Sequence, residues 1–123
     1  MEYDVLIVDD SQTMRKVIRK SVALCGFPLK ECLEAGNGRE ALALLKTRRV
    51  DLILTDLNMP DMDGLEMVQT LREDAGTRDT PVVMITTLAN EDVKDAAFTL
   101  GVKGFLQKPF LPEALREVLH RAV

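Results

Sequence analysis

Five short apolar runs punctuate this chain, and between them hydrophobic residues recur at helical spacing. Val5-Leu6-Ile7-Val8 is continuous, as expected of a strand covered on both faces. Asp51-Leu52-Ile53-Leu54 and Pro81-Val82-Val83-Met84-Ile85-Thr86 read the same way. Glu31-Cys32-Leu33-Glu34-Ala35 is more polar and predicts an edge strand, while Gly104-Phe105-Leu106-Gln107 gives a short fifth. The first helical stretch carries Met14, Val17, Ile18, Ser21, Val22 and Cys25 on one side, with Arg15, Lys16, Arg19 and Lys20 facing out. Ser11 suits its N-cap, Gly26 its C-terminal end, and Pro28 prevents its resumption. Ala41, Leu42, Leu44 and Leu45 follow the turn Gly36-Asn37-Gly38 as a second helix. Leu65 to Leu71 predicts a third after the Asp63-Gly64 turn. Val93, Ala96, Ala97 and Leu100 mark a fourth, closed by Gly101, and Leu111, Leu115, Val118 and Leu119 a fifth.

Strand and helix thus alternate five times, in units of βαβ size with no linker. That pattern implies an α/β fold, doubly wound, with a parallel sheet and right-handed crossovers. Residues 1–123 read as one domain, long enough for a proper core. Hydrophobic residues at 46% and charged ones at 29% fit a soluble globular chain. No apolar run approaches a membrane span, and the N-terminus has no basic, signal-like character. A net charge of -4 without a basic stripe argues against nucleic acid as partner. Cys25 and Cys32 form neither a CxxC pair nor a metal-ligand spacing, so they read as small buried residues in a reducing compartment, with the cytoplasm as the expected location.

The candidate chemistry lies where strands end. The first strand ends in Asp9-Asp10, the third at Asp56, the fourth in Thr86-Thr87 and the fifth at Lys108. In a parallel sheet these ends share one edge, the edge where open α/β sheets bind ligands. Taken singly, each residue has an ordinary explanation: a helix cap, an Asx-turn, β-propensity or a solvated charge. Taken together they do not, because crowded carboxylates repel. Two unit charges ~4 Å apart cost on the order of 4 kcal/mol at an effective dielectric near 20. A hard divalent cation with oxygen ligands compensates naturally, and Mg²⁺ suits few carboxylates and retained waters. No His or Cys stands there for Zn²⁺. A carboxylate beside Mg²⁺ and Lys is equipped to attack phosphorus, with Asp56 the best nucleophile and Asp9 and Asp10 placed to hold the metal.

The Asp9-Asp10 pair, Asp56 with Met59-Pro60 and Asp63-Gly64, Thr86, and Lys108-Pro109-Phe110 together resemble the receiver domains of two-component response regulators. The resemblance covers essentially the whole chain. It implies a flavodoxin-like (βα)5 fold with strand order 2-1-3-4-5, the order of the chemotaxis member of this family. It also implies that Asp56 accepts a phosphoryl group from a phosphohistidine on a sensor histidine kinase. Asp9, Asp10, Asp56 and the backbone carbonyl of Asn58 would bind Mg²⁺, while Lys108 and Thr86 contact phosphoryl oxygens. The Lys108-Pro109 bond is expected to be cis. Phe105 matches the aromatic switch position, which turns inward with Thr86 and reshapes the face of the fourth helix, fifth strand and fifth helix.

Asp9-Asp10-Ser11-x-Thr13-Met14-Arg15 and the segment from Asp56 to Glu66 are most similar to single-domain chemotaxis regulators, so a protein partner, with a flagellar motor switch protein as the leading version, is the expected output. A phosphate sink or phosphorelay intermediate is the alternative within the class. Phe105 stands where many of those regulators carry Tyr, Leu88 is apolar two residues after Thr86, and Thr87 is bulkier than Ala or Gly. These departures bear on phosphoryl lifetime and partner choice. Two other classes fit less well. A flavin carrier of this fold needs a phosphate-cradling loop where Asp9-Asp10 stands, and ring-stacking aromatics where the chain has one Tyr and no Trp. An aspartyl phosphohydrolase needs an acid–base carboxylate two residues after its nucleophile, where Asn58 stands. The expected protein is therefore a signalling module, not an enzyme.

Overall fold

The computed structural model describes every residue except Ala89. Its elements alternate strictly: β1 (Tyr3–Val8), α1 (Gln12–Leu24), β2 (Leu29–Ala35), α2 (Gly38–Leu45), β3 (Leu52–Thr55), α3 (Gly64–Glu73), β4 (Val82–Thr86), α4 (Glu91–Thr99), β5 (Gly104–Gln107) and α5 (Pro112–Ala122). The five strands form one parallel sheet in the order β2-β1-β3-β4-β5. This is the flavodoxin-like doubly wound fold expected, with β2 at an edge.

Alternation of side chains along each strand explains the continuous apolar runs. Val5 and Ile7 of β1, Leu52 and Leu54 of β3, and Val83 and Ile85 of β4 pack with α1 and α5. Leu6, Val8, Ile53, Val82 and Met84 point the other way, against residues of α2, α3 and α4. Both faces are therefore dry, and each strand interior must be apolar throughout.

Local signals set the element ends. Ser11, Asn37, Asp63 and Asn90 each accept a hydrogen bond from the backbone amide three residues on, capping α1, α2, α3 and α4. Gly26 and Gly101 take positive φ just past α1 and α4. Four side chains depart from the periodicity reading, the first being Val17 of α1, 45% exposed although helical spacing sets it on the inward side. Leu111 is the N-cap position of α5 and is exposed, since Pro112 opens the helix after it. Ala96 is exposed because Ala97 occupies the inward position of α4. Arg15 turns back instead of facing out, its side chain only 17% exposed. Both cysteines are free and half-buried, not buried.

Among the described residues no helix is long and apolar enough to cross a membrane. A cleft of about 450 Å³ lies at the amino ends of β4 and β5, lined by Arg72, Arg78, Lys103 and neighbours. Arg72 is committed to structure there. Its guanidinium donates to the carbonyls of Leu100 (2.9 Å), Arg78 (3.0 Å) and Thr80 (2.8 Å), tying the end of α3 to both loops. Burial lowers its pKa from the ordinary guanidinium value. The chemistry lies at the other edge.

Candidate functional site

Register brings the carboxyl ends of the strands to one level. Val8 pairs with Thr55 across the β1–β3 ladder, so Asp9 and Asp56 leave the sheet side by side. Thr86 pairs with Gln107, which places Lys108 beside the end of β4. The Asp56 amide donates to the Val8 carbonyl at 2.9 Å, and the Asp9 amide donates to Ala35 at 3.1 Å. Both chain segments therefore stay anchored one residue past the strand.

At this edge Asp9, Asp10 and Asp56 each offer a carboxylate oxygen within 4.8 Å of the others. Asp9 is buried, Asp56 partly buried and Asp10 exposed. The ammonium of Lys108 reaches in from β5, donating to Asp9 Oδ2 at 2.7 Å and to Asp56 Oδ2 at 3.2 Å. The remaining oxygens are held by the backbone. The Ser11 amide donates to Asp9 Oδ1 at 2.9 Å, and the Leu57 amide to Asp56 Oδ1 at 2.7 Å. Charge-assisted bonds of this kind are the strong ones in a protein. One ammonium against three carboxylates still leaves negative charge uncompensated. With oxygen donors alone in the cluster, the set fits a hard divalent cation.

The other expected residues surround this centre. Thr86 is buried at the end of β4, and its hydroxyl accepts from the Leu88 amide at 3.2 Å. Asn58 is exposed in the β3–α3 loop, and its carbonyl accepts no backbone amide among the described residues. Phe105 is half-buried on β5, with Lys94 of α4 5.7 Å from its ring centre. The Lys108-Pro109 peptide bond is cis. Asp9, Asp10, Asp56 and Lys108 are thus in direct contact or within a few ångströms, while Thr86, Asn58 and Phe105 form the surround.

Three supporting residues have roles that a reading of the sequence does not assign. Thr55 is buried, and its hydroxyl donates to the Asp56 carbonyl at 2.8 Å. Gly64 opens α3 beneath the same group: a Cβ there would stand 2.4 Å from the Asp56 carbonyl oxygen. Arg15 donates to the Asp9 carbonyl at 2.6 Å and to Glu34 at 2.9 Å. Asp63-Gly64 and Arg15 stand among the motif residues that carry the family resemblance, but the contacts that Gly64 and Arg15 make here have no sequence signal.

Comparison with known proteins agrees with this geometry. The response regulator receiver domain model matches residues 5–120. A chemotaxis protein CheY homolog of Campylobacter jejuni is 40% identical over 116 residues, covering 94% of this chain and 88% of the relative. Chemotaxis protein CheY1 of Helicobacter pylori is 37% identical over 116 residues, covering 94% and 92%. The solved structure of Vibrio cholerae chemotaxis protein CheY4 superposes with a TM-score of 0.88 at 36% identity, covering both chains completely. With these similarities over a complete flavodoxin-like sheet and an acidic strand-end cluster, the chain belongs to the response regulator receiver domain family, signalling modules that include the CheY chemotaxis regulators.

Proposed function

We propose that residues 1–123 act as a single phosphoacceptor receiver in the cytoplasm, with Asp56 as the acceptor and a sensor histidine kinase as donor. The observation that carries this reading is the Lys108 ammonium bridging Asp9 and Asp56 inside a cluster of three carboxylates. An Asp56 oxygen forms the new bond to phosphorus. The bond from phosphorus to the kinase imidazole breaks, and its electron pair leaves with that nitrogen. The product is an acyl phosphate on Asp56. Asp9, Asp10, Asp56 and the Asn58 carbonyl would hold Mg²⁺, which would supply neutralisation of phosphoryl charge. Lys108 supplies a second positive charge from a fixed position, so little reorganisation accompanies the transfer. Thr86 donates its hydroxyl to a phosphoryl oxygen, and its displacement lets Phe105 repack. The phosphoryl group ends on the protein itself, which suits a signal carrier.

Output passes through the face of α4, β5 and α5. Phe98 on α4 is 50% exposed and Leu111 before α5 is 70% exposed, so this face offers apolar anchors to a protein partner. The named relatives are chemotaxis proteins, which favours a flagellar motor switch protein as that partner.

Intact-protein mass after incubation with acetyl phosphate tests the chemistry. Wild type is expected to gain one phosphoryl group with Mg²⁺ and none in EDTA, and Asp56→Asn to gain none. An adduct of equal yield on Asp56→Asn would refute the assignment.

A further inference from the structure

Arg15 touches none of the carboxylate oxygens of the cluster, yet its guanidinium reaches the turn that carries two of them. Asp9 is held at four points: its amide on Ala35, its two carboxylate oxygens by Ser11 and Lys108, and its carbonyl by Arg15 at 2.6 Å. The first three fix Asp9 itself. The fourth fixes something else. A carbonyl shares its rigid plane with the next residue's amide and Cα, so holding the Asp9 carbonyl sets the direction in which Asp10 leaves. Asp10 is exposed, and its side chain makes no hydrogen bond among the described residues. Its orientation therefore depends on the peptide before it, held by Arg15, and the peptide after it, held by the bond from the Ser11 amide.

Arg15 is itself well anchored. Its Nε donates to Glu34 Oε1 at 2.9 Å, and Arg19 holds the other Glu34 oxygen at 3.2 Å. Glu34 sits on β2 directly across from Ile7, so the clamp spans α1, the edge strand and the β1–α1 turn. The planar fork reaches carboxylate and carbonyl at once, a geometry that the single ammonium of Lys does not reproduce.

We propose that Arg15 is a positioning residue for the metal site, orienting Asp10 through the Asp9 carbonyl; this rests on the reading of the acidic cluster as a Mg²⁺ site. The sign of its effect separates positioning from charge. A guanidinium beside an acidic cluster repels an incoming dication, so charge alone predicts tighter Mg²⁺ binding once Arg15 is removed. Positioning predicts weaker binding, since loss of an outer partner of a metal ligand typically costs about 10–100-fold in affinity.

Calorimetric titration with Mg²⁺ on wild type, Arg15→Gln, Arg15→Lys, Asp10→Asn and the Asp10→Asn/Arg15→Gln double variant decides between them. Thermal melts in EDTA establish that each variant is folded. Arg15→Gln is expected to bind Mg²⁺ about tenfold more weakly. Arg15→Lys, which keeps the charge but gathers its donors on one nitrogen, should fall between the two and carries the test if Arg15→Gln does not fold. In the Asp10→Asn background Arg15→Gln should cost nothing further, because the residue through which it acts has lost its charge. Unchanged or tighter binding by both Arg15 variants would overturn the proposal, as would an undiminished effect in the Asp10→Asn background. Failure of wild type itself to bind Mg²⁺ would overturn the metal-site reading, a distinct result seen before any variant is compared.

Discussion

Replacing Lys108 with Met keeps the length of the side chain and removes its charge, which isolates what the ammonium does for the fold. The ammonium stands 2.7 Å from Asp9 Oδ2 and 3.2 Å from Asp56 Oδ2. At an effective dielectric near 20 these separations correspond to gross attractions of about 6 and about 5 kcal/mol. Desolvation of the buried ammonium opposes most of that sum, and measured costs of removing one partner from a buried pair are about 3–5 kcal/mol. Asp56 retains some contact with water, its side chain 13% exposed, so the low end applies. An unfolding entropy near 2.1 cal/mol/K per residue makes each kcal/mol worth about 4 °C for a chain of 123 residues. A loss of about 3 kcal/mol then lowers the melting midpoint by about 12 °C. Circular dichroism melts of both proteins in EDTA measure this directly. Saturating Mg²⁺ should raise the midpoint of the variant by more than that of wild type, because the variant has one more negative charge to compensate. Midpoints within ~2 °C of each other in EDTA, half a kcal/mol by the same conversion, would refute the assignment of Lys108 as the internal counter-charge.

Two further outcomes follow from single contacts. Gly64→Ala puts a methyl group 2.4 Å from the Asp56 carbonyl oxygen and 3.0 Å from Leu57 Cα, backbone atoms that cannot yield without moving Asp56. It should cost about 3 kcal/mol in urea denaturation and slow labelling by acetyl phosphate; wild-type values of both would mean the contact is easily relieved. Burial pushes the Cys32 thiol pKa up, against the opposing charge of Arg19. The folded protein then holds this proton to higher pH than the unfolded chain. Its contribution to stability is complete below the unfolded thiol pKa and is lost as pH rises through the folded one. Iodoacetamide should therefore label native Cys32 more slowly than the urea-unfolded chain at alkaline pH, and equal rates would contradict the burial argument.

Much of this architecture is legible in the sequence, for physical reasons. Val5 to Val8 had to be a two-sided strand because no polar residue interrupts it, and Ser11 stands where a cap must stand, whereas Asn37 and Asp63 read only as turn residues and prove to be caps. The polar strand ends were legible for the same reason, as charges following apolar runs. Strand order was not: alternation permits several arrangements, and 2-1-3-4-5 came with the family resemblance. Without that order the contact of Lys108 with Asp9, 99 residues away, has no sequence signal. Arg15 was misread because periodicity places a Cα and not the end of a long side chain. Its Cα lies on the outward side of α1, and its guanidinium swings back across the turn. Leu111 failed for the opposite reason, an apolar residue at helical spacing that precedes the helix.

Constraint is unevenly distributed across the site, and that bears on how a switch would work here. The floor is over-determined: Asp9 is held at four points, and Lys108 bridges two carboxylates while its own amide donates to the Thr86 carbonyl at 2.9 Å. The side toward α4 carries fewer polar contacts among the described residues. The Thr86 hydroxyl accepts one bond from the Leu88 amide, at 3.2 Å, and such a bond is worth about 1 kcal/mol net. Phe105 lacks the hydroxyl that a Tyr would tie down, and Lys94 near its ring adds about 0.5–1 kcal/mol at a site of this exposure. Moving both residues gives up about 2 kcal/mol in these two polar contacts, besides the packing of Phe105 against the core. A new charge on Asp56 would have to bind the displaced Thr86 better by more than that combined cost to reverse the population. On the phosphoacceptor function proposed above, the fixed charges would confine a phosphoryl group to one place, and Thr86 and Phe105, held by fewer polar contacts, would be what answers it.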